Sequence, residues 1–166
     1  MTEFAGHPAV VGVVPGQPDL VVLTAASWVR AVGSPTLYCA YVDPARYTHE
    51  EHDDGTVRHL PIDPDGDDDW RRTDAHLRSH LERVVRPADV EWTFRYLAGR
   101  VDRALTHLAR AVDAAVIIVG ARAPGPGARM REVVEGSVAV RLTAHQHRPV
   151  LTVPLSVVDW RTRTPW

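Results

Sequence analysis

A glycine-rich stretch, VGARAPGPGARMREVVEGSVAV at residues 119–140, contains the residue types most suited to binding a ligand. It follows an apolar run that ends at Gly120, and the pair Gly136–Ser137 opens a segment with helical spacing. Glycines allow the backbone to approach a phosphate, and the N–H groups at a helix N-terminus attract an anion. The sequence therefore predicts a phosphate site, assisted by the side chains of Ser137, Arg122 or Arg129. The alternative is a connecting loop whose glycines only form turns.

Two stronger phosphate motifs are excluded. Gly120 and Gly125 have P-loop spacing, but Pro126–Gly127 occupy the positions where that motif requires Lys and Ser or Thr. No G-x-G-x-x-G follows the first apolar run, where the sequence reads VPGQPDL, so a Rossmann dinucleotide site is not expected. The chain also contains no lysine, which excludes Schiff-base catalysis.

Two polar clusters have metal-binding residue types. The run HEEHDD at 49–54 is rich in donors but has no second cluster at a matching spacing, so we interpret it as a solvated loop. In DPDGDDDW at 63–70, Gly66 is the fourth residue, whereas an EF-hand loop needs glycine sixth and an acid twelfth. We expect one acid of this run to cap a helix that begins near Trp70, the candidates being Asp67, Asp68 and Asp69.

The sequence supplies no arrangement for nucleophilic or acid–base catalysis. Cys39 lies within an apolar run and is expected to be a small buried hydrophobe. No G-x-S-x-G elbow is present, and no pair of carboxylates stands out. His145 and His147 close the last helical segment, where a cation complements the helix dipole, so we assign them a structural role.

Length and composition predict one globular domain over residues 1–166. Of these 166 residues, 45% are hydrophobic and 24% charged, and the net charge is −2. This charge gives no reason to expect binding to nucleic acid or to an anionic membrane. No apolar run approaches the roughly 20 residues of a membrane span, and the N-terminus does not resemble a signal peptide. A single cysteine fits a reducing compartment, so we expect a cytoplasmic protein.

Apolar runs alternate with helical periodicity along the chain, which predicts a doubly wound α/β fold with a parallel sheet and helices on both faces. Five runs are expected to be strands, at 9–14, 36–42, 90–97, 115–119 and 149–153. Apolar and polar residues alternate in 90–97, which favours an edge strand, and we place the first strand at the centre. We interpret 43–68 as a polar connection inserted into the domain. The tail 155–166 is expected to pack on the body or to cover a partner surface.

The C-terminal part resembles the universal stress protein family. The segments AVIIVGAR at 115–122 and GSVAVRLTAHQHRPVLTVP at 136–154 are similar to that family's strand ending in glycine, Gly-Ser helix start and final Pro-Val strand. This resemblance implies a sheet order of 3-2-1-4-5 and a homodimer formed through the strand at 149–153. Some members bind ATP through G-x2-G-x9-G-[ST], together with an Asp at the end of the first strand.

The resemblance implies a nucleotide site whose motif is altered in this chain. Val14 stands where the family has its Asp, and the second glycine of the motif falls on Ala123. The loop between Gly120 and Gly136 is three residues longer than the motif requires. The positions assigned to the site are Val14, Val42, Gly120, Arg122, Gly125, Gly127, Gly136, Ser137 and Val138.

From these residues we expect a homodimeric, non-catalytic stress-response or regulatory module with a degenerate, weak ATP-binding loop. No metal is expected other than the magnesium that accompanies a nucleotide. The alternative is a nucleotide-hydrolysing or transferring enzyme of related architecture. That enzyme would need a positioned base after the first strand, where this chain has Val14 and Pro15.

Overall fold

The computed structural model describes residues 3–65, 69–121 and 138–155, which form seven strands, four α-helices and a short 3-10 helix at Arg86–Ala88. The strands are β1 (Ala9–Gly12), β2 (Leu37–Asp43), β3 (Arg46–Glu51), β4 (Val57–Pro61), β5 (Trp92–Ala98), β6 (Val116–Ala121) and β7 (Val150–Pro154). The helices are α1 (Leu20–Val32), α2 (Trp70–Val85), α3 (Val101–Ala111) and α4 (Val138–His145). None of the described helices is both long and apolar enough to span a membrane.

The main sheet has five parallel strands in the order β5-β2-β1-β6-β7. Counting only the five strands expected from the sequence, this is the order 3-2-1-4-5, so the predicted fold class and sheet order are confirmed. In the central strand, Ala9 pairs with Leu37 of β2 on one side and with Val116 of β6 on the other. The alternating segment forms β5 at one edge, as predicted.

Helices cover both faces of the sheet because its central strands are apolar on both sides. One core joins α1 and α2 to the sheet through residues such as Val22 and Leu81. The other core joins α3 and α4 to the opposite face through residues such as Leu105 and Leu142. This arrangement leaves the carboxyl ends of the parallel strands at one edge of the molecule, where the connecting loops meet.

The inserted segment 43–68 contains a β-hairpin, which the sequence analysis did not predict. Strands β3 and β4 pair in antiparallel register from Arg46 opposite Pro61, with an irregularity between Thr48 and Glu50. The hairpin carries its own buried polar centre. Arg46 is only 5% exposed; its guanidinium donates from Nε to His59 Nδ1 at 2.6 Å and lies over the Trp70 ring.

The expected acidic cap of α2 is not formed by Asp69, which directly precedes the helix. Its carboxylate makes no hydrogen bond to the first backbone N–H groups and instead pairs with Arg72 at 2.8 Å. The other two candidate caps, Asp67 and Asp68, lie outside the described residues. The prediction is therefore wrong for Asp69, because an arginine one turn into the helix competes for the same oxygen.

Candidate functional site

The sheet has its topological switch point between β1 and β6. The strand that follows β1 in sequence, β2, lies on one side of this pair, and the strand that follows β6, β7, lies on the other side. The chain leaves β1 toward α1 on one face, whereas it returns from β6 through α4 on the other face. Ligands of open parallel sheets bind at this point, beyond the carboxyl ends of the strands. The structure has a cavity of about 440 Å³ there.

This cavity, called the cleft below, is lined mainly by apolar groups. Its walls come from the loop after β1, from the ends of β2 and β6, and from α3 and α4. The described lining residues are Gly12, Val13, Val14, Pro15, Gly16, Gln17, Pro18, Ala40, Val42, Val101, Leu105, Val119, Gly120, Val138 and Leu155. None of them carries an ionisable side chain, so they offer a bound ligand shape and apolar contact but no charge.

The loop after β1 folds into a tight turn over residues 14–17. Pro15 fixes one backbone angle, and Gly16 has φ of +73°, a combination typical of a type II turn. The turn is closed from both sides: the Gln17 N–H donates to the Val14 carbonyl at 3.2 Å, and the Val14 N–H donates to Gln17 Oε1 at 3.1 Å. The Gln17 amide is thereby held at the wall of the cleft.

Gln17 supplies the polar side chain of the described cleft lining. Its Nε2 is buried and has no hydrogen-bond partner among the described residues. A buried N–H group without a partner costs about 1–3 kcal/mol, so an acceptor brought by a ligand or a water would be stabilised there. Sequence reasoning missed this residue, because its role depends on the turn at Pro15–Gly16 rather than on a recognisable motif.

Four residues assigned to the site from the sequence lie together around the cleft: Val14, Val42, Gly120 and Val138. Val14 is 54% exposed at the mouth, whereas Val42 is buried in the wall. The other assigned residues lie outside the described residues; they are Arg122, Gly125, Gly127, Gly136 and Ser137. Their part in ligand binding stays a prediction.

Two glycines at the cleft floor lie in close contact with neighbouring side chains. A Cβ at Gly12 would lie 3.3 Å from Leu105 Cδ1 and 3.4 Å from Val119 Cγ1. A Cβ at Gly120 would lie 2.9 Å from Leu155 Cδ2, closer than real Cβ contacts. Leu155, the residue after β7, therefore packs directly on Gly120 near the end of β6, and its side chain forms one wall of the cleft.

The candidate nucleophile and the candidate metal clusters do not contribute a reactive centre among the described residues. Cys39 is fully buried in β2, and burial raises the pKa of its thiol to about 12, so it stays protonated and unreactive. No group of three or more His, Cys, Asp or Glu in the described part of the chain is arranged to hold a metal ion. His145 ends α4 and His147 follows it, both exposed and outside the cleft.

The fold is similar to solved structures of universal stress proteins. One from Archaeoglobus fulgidus in complex with dAMP is 21% identical, with a TM-score of 0.59 over 88% of this chain and 96% of that one. A universal stress protein in complex with cAMP is 19% identical, with a TM-score of 0.63 over 92% and 99%. An Arabidopsis thaliana family protein with AMP bound is 15% identical, with a TM-score of 0.52 over 90% and 92%.

Sequence comparison gives the family directly. No curated protein sequence matches the chain. The model of the universal stress protein family matches residues 10–154, a span that includes nearly all of the five-stranded sheet and every described residue of the cleft except Leu155. The chain therefore belongs to the universal stress protein family.

Proposed function

We propose that this chain is a non-catalytic regulatory module that binds an adenine nucleotide weakly in the cleft. The observation that carries the proposal is the apolar cavity of about 440 Å³ at the switch point between β1 and β6. Its volume lies in the range of small-molecule sites, and an apolar lining with few polar groups is typical of them. Three solved structures with this fold are described as complexes with dAMP, cAMP and AMP, which supports a nucleotide as the ligand.

The predicted weakness of binding follows from the residues at the cleft mouth. Val14 replaces the acid that the family motif carries at the end of the first strand, so no carboxylate there accepts a hydrogen bond from the ligand. Hydrogen bonds to charged groups contribute about 1.5–3 kcal/mol, equivalent to a factor of about 10 to 150 in affinity. Gln17 Nε2 offers one neutral donor in exchange, which is worth less.

Restoring the acid tests this proposal. We expect Val14→Asp to strengthen the binding of AMP and ATP by at least about tenfold, because Val14 is exposed at the mouth and an aspartate fits there without repacking. Isothermal titration calorimetry would measure the affinities of both proteins. Ile62→Asp is the matched control, since it also adds an acid at an exposed apolar side chain, 62% exposed and outside the cleft. Absence of nucleotide binding by both the native chain and Val14→Asp would refute the proposal.

The non-catalytic part of the proposal is supported by the chemistry of the described cleft wall. Hydrolysis of a nucleotide requires a group that orients or deprotonates the attacking water. Among the described lining residues there is no carboxylate, imidazole or other ionisable side chain. We expect no ATP turnover above the rate of the uncatalysed reaction. ATP hydrolysis that is abolished by Ser137→Ala would contradict this part and point to an enzyme.

We further propose that the protein is a homodimer formed through β7. This strand lies at the edge of the sheet and pairs with β6 on one side only among the described strands. An unpaired edge offers backbone N–H and C=O groups to a second copy of the same strand. The side chains of Val150 and Leu151 remain partly exposed there, which adds apolar surface to such a contact.

A further inference from the structure

A second and larger cavity, about 770 Å³, lies on the outer side of α3. We call it the basic groove. Its walls are the β3–β4 hairpin, the end of β5 with the glycine that follows it (Leu97–Gly99), the length of α3 and the exposed side of α4. It shares no described lining residue with the cleft, to which α3 presents Val101 and Leu105 instead. The groove therefore exists because the segment 43–68 is inserted between β2 and α2.

The hairpin wall of the groove is attached to the end of β5 and to α3. Thr48 Oγ1 donates to the Ala98 carbonyl at 3.3 Å, and His107 Nδ1 donates to Glu51 Oε2 at 3.1 Å. Gly55, with φ of +78°, packs so closely on α3 that a Cβ there would lie 2.6 Å from Leu108 Cδ1. These contacts make the groove a fixed feature of the fold.

Basic side chains form a stripe along the groove. Arg100, Arg103, His107 and Arg110 follow one another at intervals of three, four and three residues, so they lie on one face of α3. At about 1.5 Å per residue the stripe is about 15 Å long. Two further basic residues, Arg141 and His145, are one turn apart on α4 and complete the same groove.

The described acids of the groove compensate only part of this positive charge. The described lining contains two, Glu51 and Asp102. Asp102 is held by Arg100, whose Nη2 donates to Oδ2 at 2.7 Å, and Glu51 is held by His107. Arg103 and Arg110 are exposed and form no ion pair with an acid of the described residues. A chain with a net charge of −2 thus concentrates positive charge on one face.

We propose that the basic groove is a second ligand site, distinct from the cleft, and that it binds a small linear anion carrying at least two phosphate groups. A guanidinium presents parallel N–H donors that match phosphate oxygens in a bidentate pair, and it stays charged at every physiological pH. Arg103 and Arg110 are two helical turns apart, about 10 Å along α3, so a single phosphate contacts both only if the two side chains bend toward each other. An anion with two or more phosphates matches the spacing of the two side chains as they stand.

The ligand chemistry has two sources, an inorganic polyphosphate or the phosphate end of a nucleotide. We expect inorganic tripolyphosphate and ATP both to bind, with AMP weaker because it carries one phosphate. The site does not depend on the nucleotide function proposed for the cleft. A chain that binds nothing in the cleft still presents the same arginines in the groove.

Titration calorimetry with tripolyphosphate, ATP and AMP tests the proposal on the native chain and on the double variant Arg103→Gln/Arg110→Gln. Both side chains are exposed, and unchanged circular dichroism would confirm that the variant folds. We expect the double variant to lose tripolyphosphate affinity by at least tenfold, and added salt to weaken native binding steeply. A matched loss for ATP identifies the nucleotide phosphates as a ligand, whereas a loss for tripolyphosphate alone identifies the inorganic chain.

Two control variants distinguish binding in the groove from binding elsewhere on the protein. Arg86→Gln removes an exposed arginine outside the groove and should change tripolyphosphate affinity by less than twofold. Val14→Asp adds a negative charge at the cleft mouth and should leave it unchanged. The proposal is overturned if the native chain binds no tripolyphosphate at 1 mM, if Val14→Asp rather than the arginine pair weakens it, or if a hexaglutamate peptide binds the same arginines as tightly.

Discussion

Asp102 is the acid whose environment differs most from water among the groove residues. Its side chain is 7% exposed, and it receives two hydrogen bonds from Arg100, to Oδ1 at 3.2 Å and to Oδ2 at 2.7 Å. Burial alone raises the pKa of this carboxyl. The hydrogen bonds and charge of Arg100, together with the backbone N–H groups of Arg103 and Asp102 itself, outweigh burial and hold its pKa below the ordinary value.

A carboxyl whose pKa is lowered on folding stabilises the folded protein above its unfolded pKa, about 3.9, and loses that effect as the pH falls through the folded pKa. We therefore expect Asp102→Asn to lower the free energy of unfolding by about 1–3 kcal/mol near pH 7, with a smaller deficit below about pH 4. Urea unfolding at both pH values would measure it. Arg100→Gln should reproduce the same pH dependence, and a deficit that does not change with pH would contradict the assignment.

The β3–β4 hairpin is the element that distinguishes this chain from a plain alternation of strands and helices. Its two ends are fixed differently. The base is held by Arg46, His59 and Trp70, whose side chains contact one another across β3, β4 and α2. The tip is held by the contact of Gly55 with α3. The groove depends on both attachments.

Gly55→Ala tests the attachment of the tip. Alanine at Gly55 would adopt φ of +78° and place its Cβ against Leu108. Gly33→Ala is the matched control, because Gly33 has φ of +66° but nothing within 4 Å of an added Cβ. We expect Gly55→Ala to lower the free energy of unfolding by about 1–3 kcal/mol more than Gly33→Ala, as in other overpacked contacts. Equal losses in urea unfolding would show that the tip is not tightly packed.

The helices and sheet strands were predictable because their signals are local, whereas the hairpin was not. The run around Val116–Val119 is apolar throughout because both faces of a central parallel strand are covered. The hairpin strand Arg46–Glu51 is polar at nearly every position, and its one buried residue is an arginine satisfied by groups distant in sequence. The role of Gln17 at the cleft was not predictable for a similar reason, since only the folded turn brings its amide to the cleft.

The basic stripe was predictable only in part. The spacing of Arg100, Arg103, His107 and Arg110 is readable from the sequence, and it indicates a basic helix face. That this face forms one wall of a groove depends on the hairpin and on α4, which sequence spacing does not place. For the glycine-rich loop, the sequence pattern is clear but the structure does not describe most of its residues. Its assigned residues Gly125 and Ser137 lie outside the described residues, so that half of the candidate site rests on the sequence.

For the molecule as a whole, β7 determines how one copy would meet another. The Ile117 N–H donates to the carbonyl of Pro149, just before β7, and the N–H of Leu155, just after β7, donates to the Ala121 carbonyl. The backbone N–H and C=O groups of the odd-numbered residues in this segment are therefore directed toward β6. Alternate residues along a strand direct their N–H groups to opposite sides. The Thr152 N–H is therefore directed away from β6, toward the edge proposed as the dimer interface.

Proline at this position removes the outward N–H without breaking the pairing with β6, because edge strands tolerate proline there. We expect Thr152→Pro to raise the dimer dissociation constant by at least tenfold, whereas Thr152→Val, which keeps the N–H, should remain dimeric. Sedimentation equilibrium at tens of micromolar would distinguish them. A native chain that sediments as a monomer, or a Thr152→Pro variant as dimeric as the native chain, would argue against the β7 interface.

The pairing of β1 with β6 also sets when the molecule can fold during its synthesis. Ala9 in the central strand pairs with Val116, so more than a hundred residues must be added before that pair can form. At about 5–20 residues per second, the ribosome needs roughly 5–20 s to make them. Until then, the apolar residues Val10 and Val11 have a partner strand on one side at most. The cleft, which lies at the ends of these two strands, is consequently among the last parts of the protein to be completed.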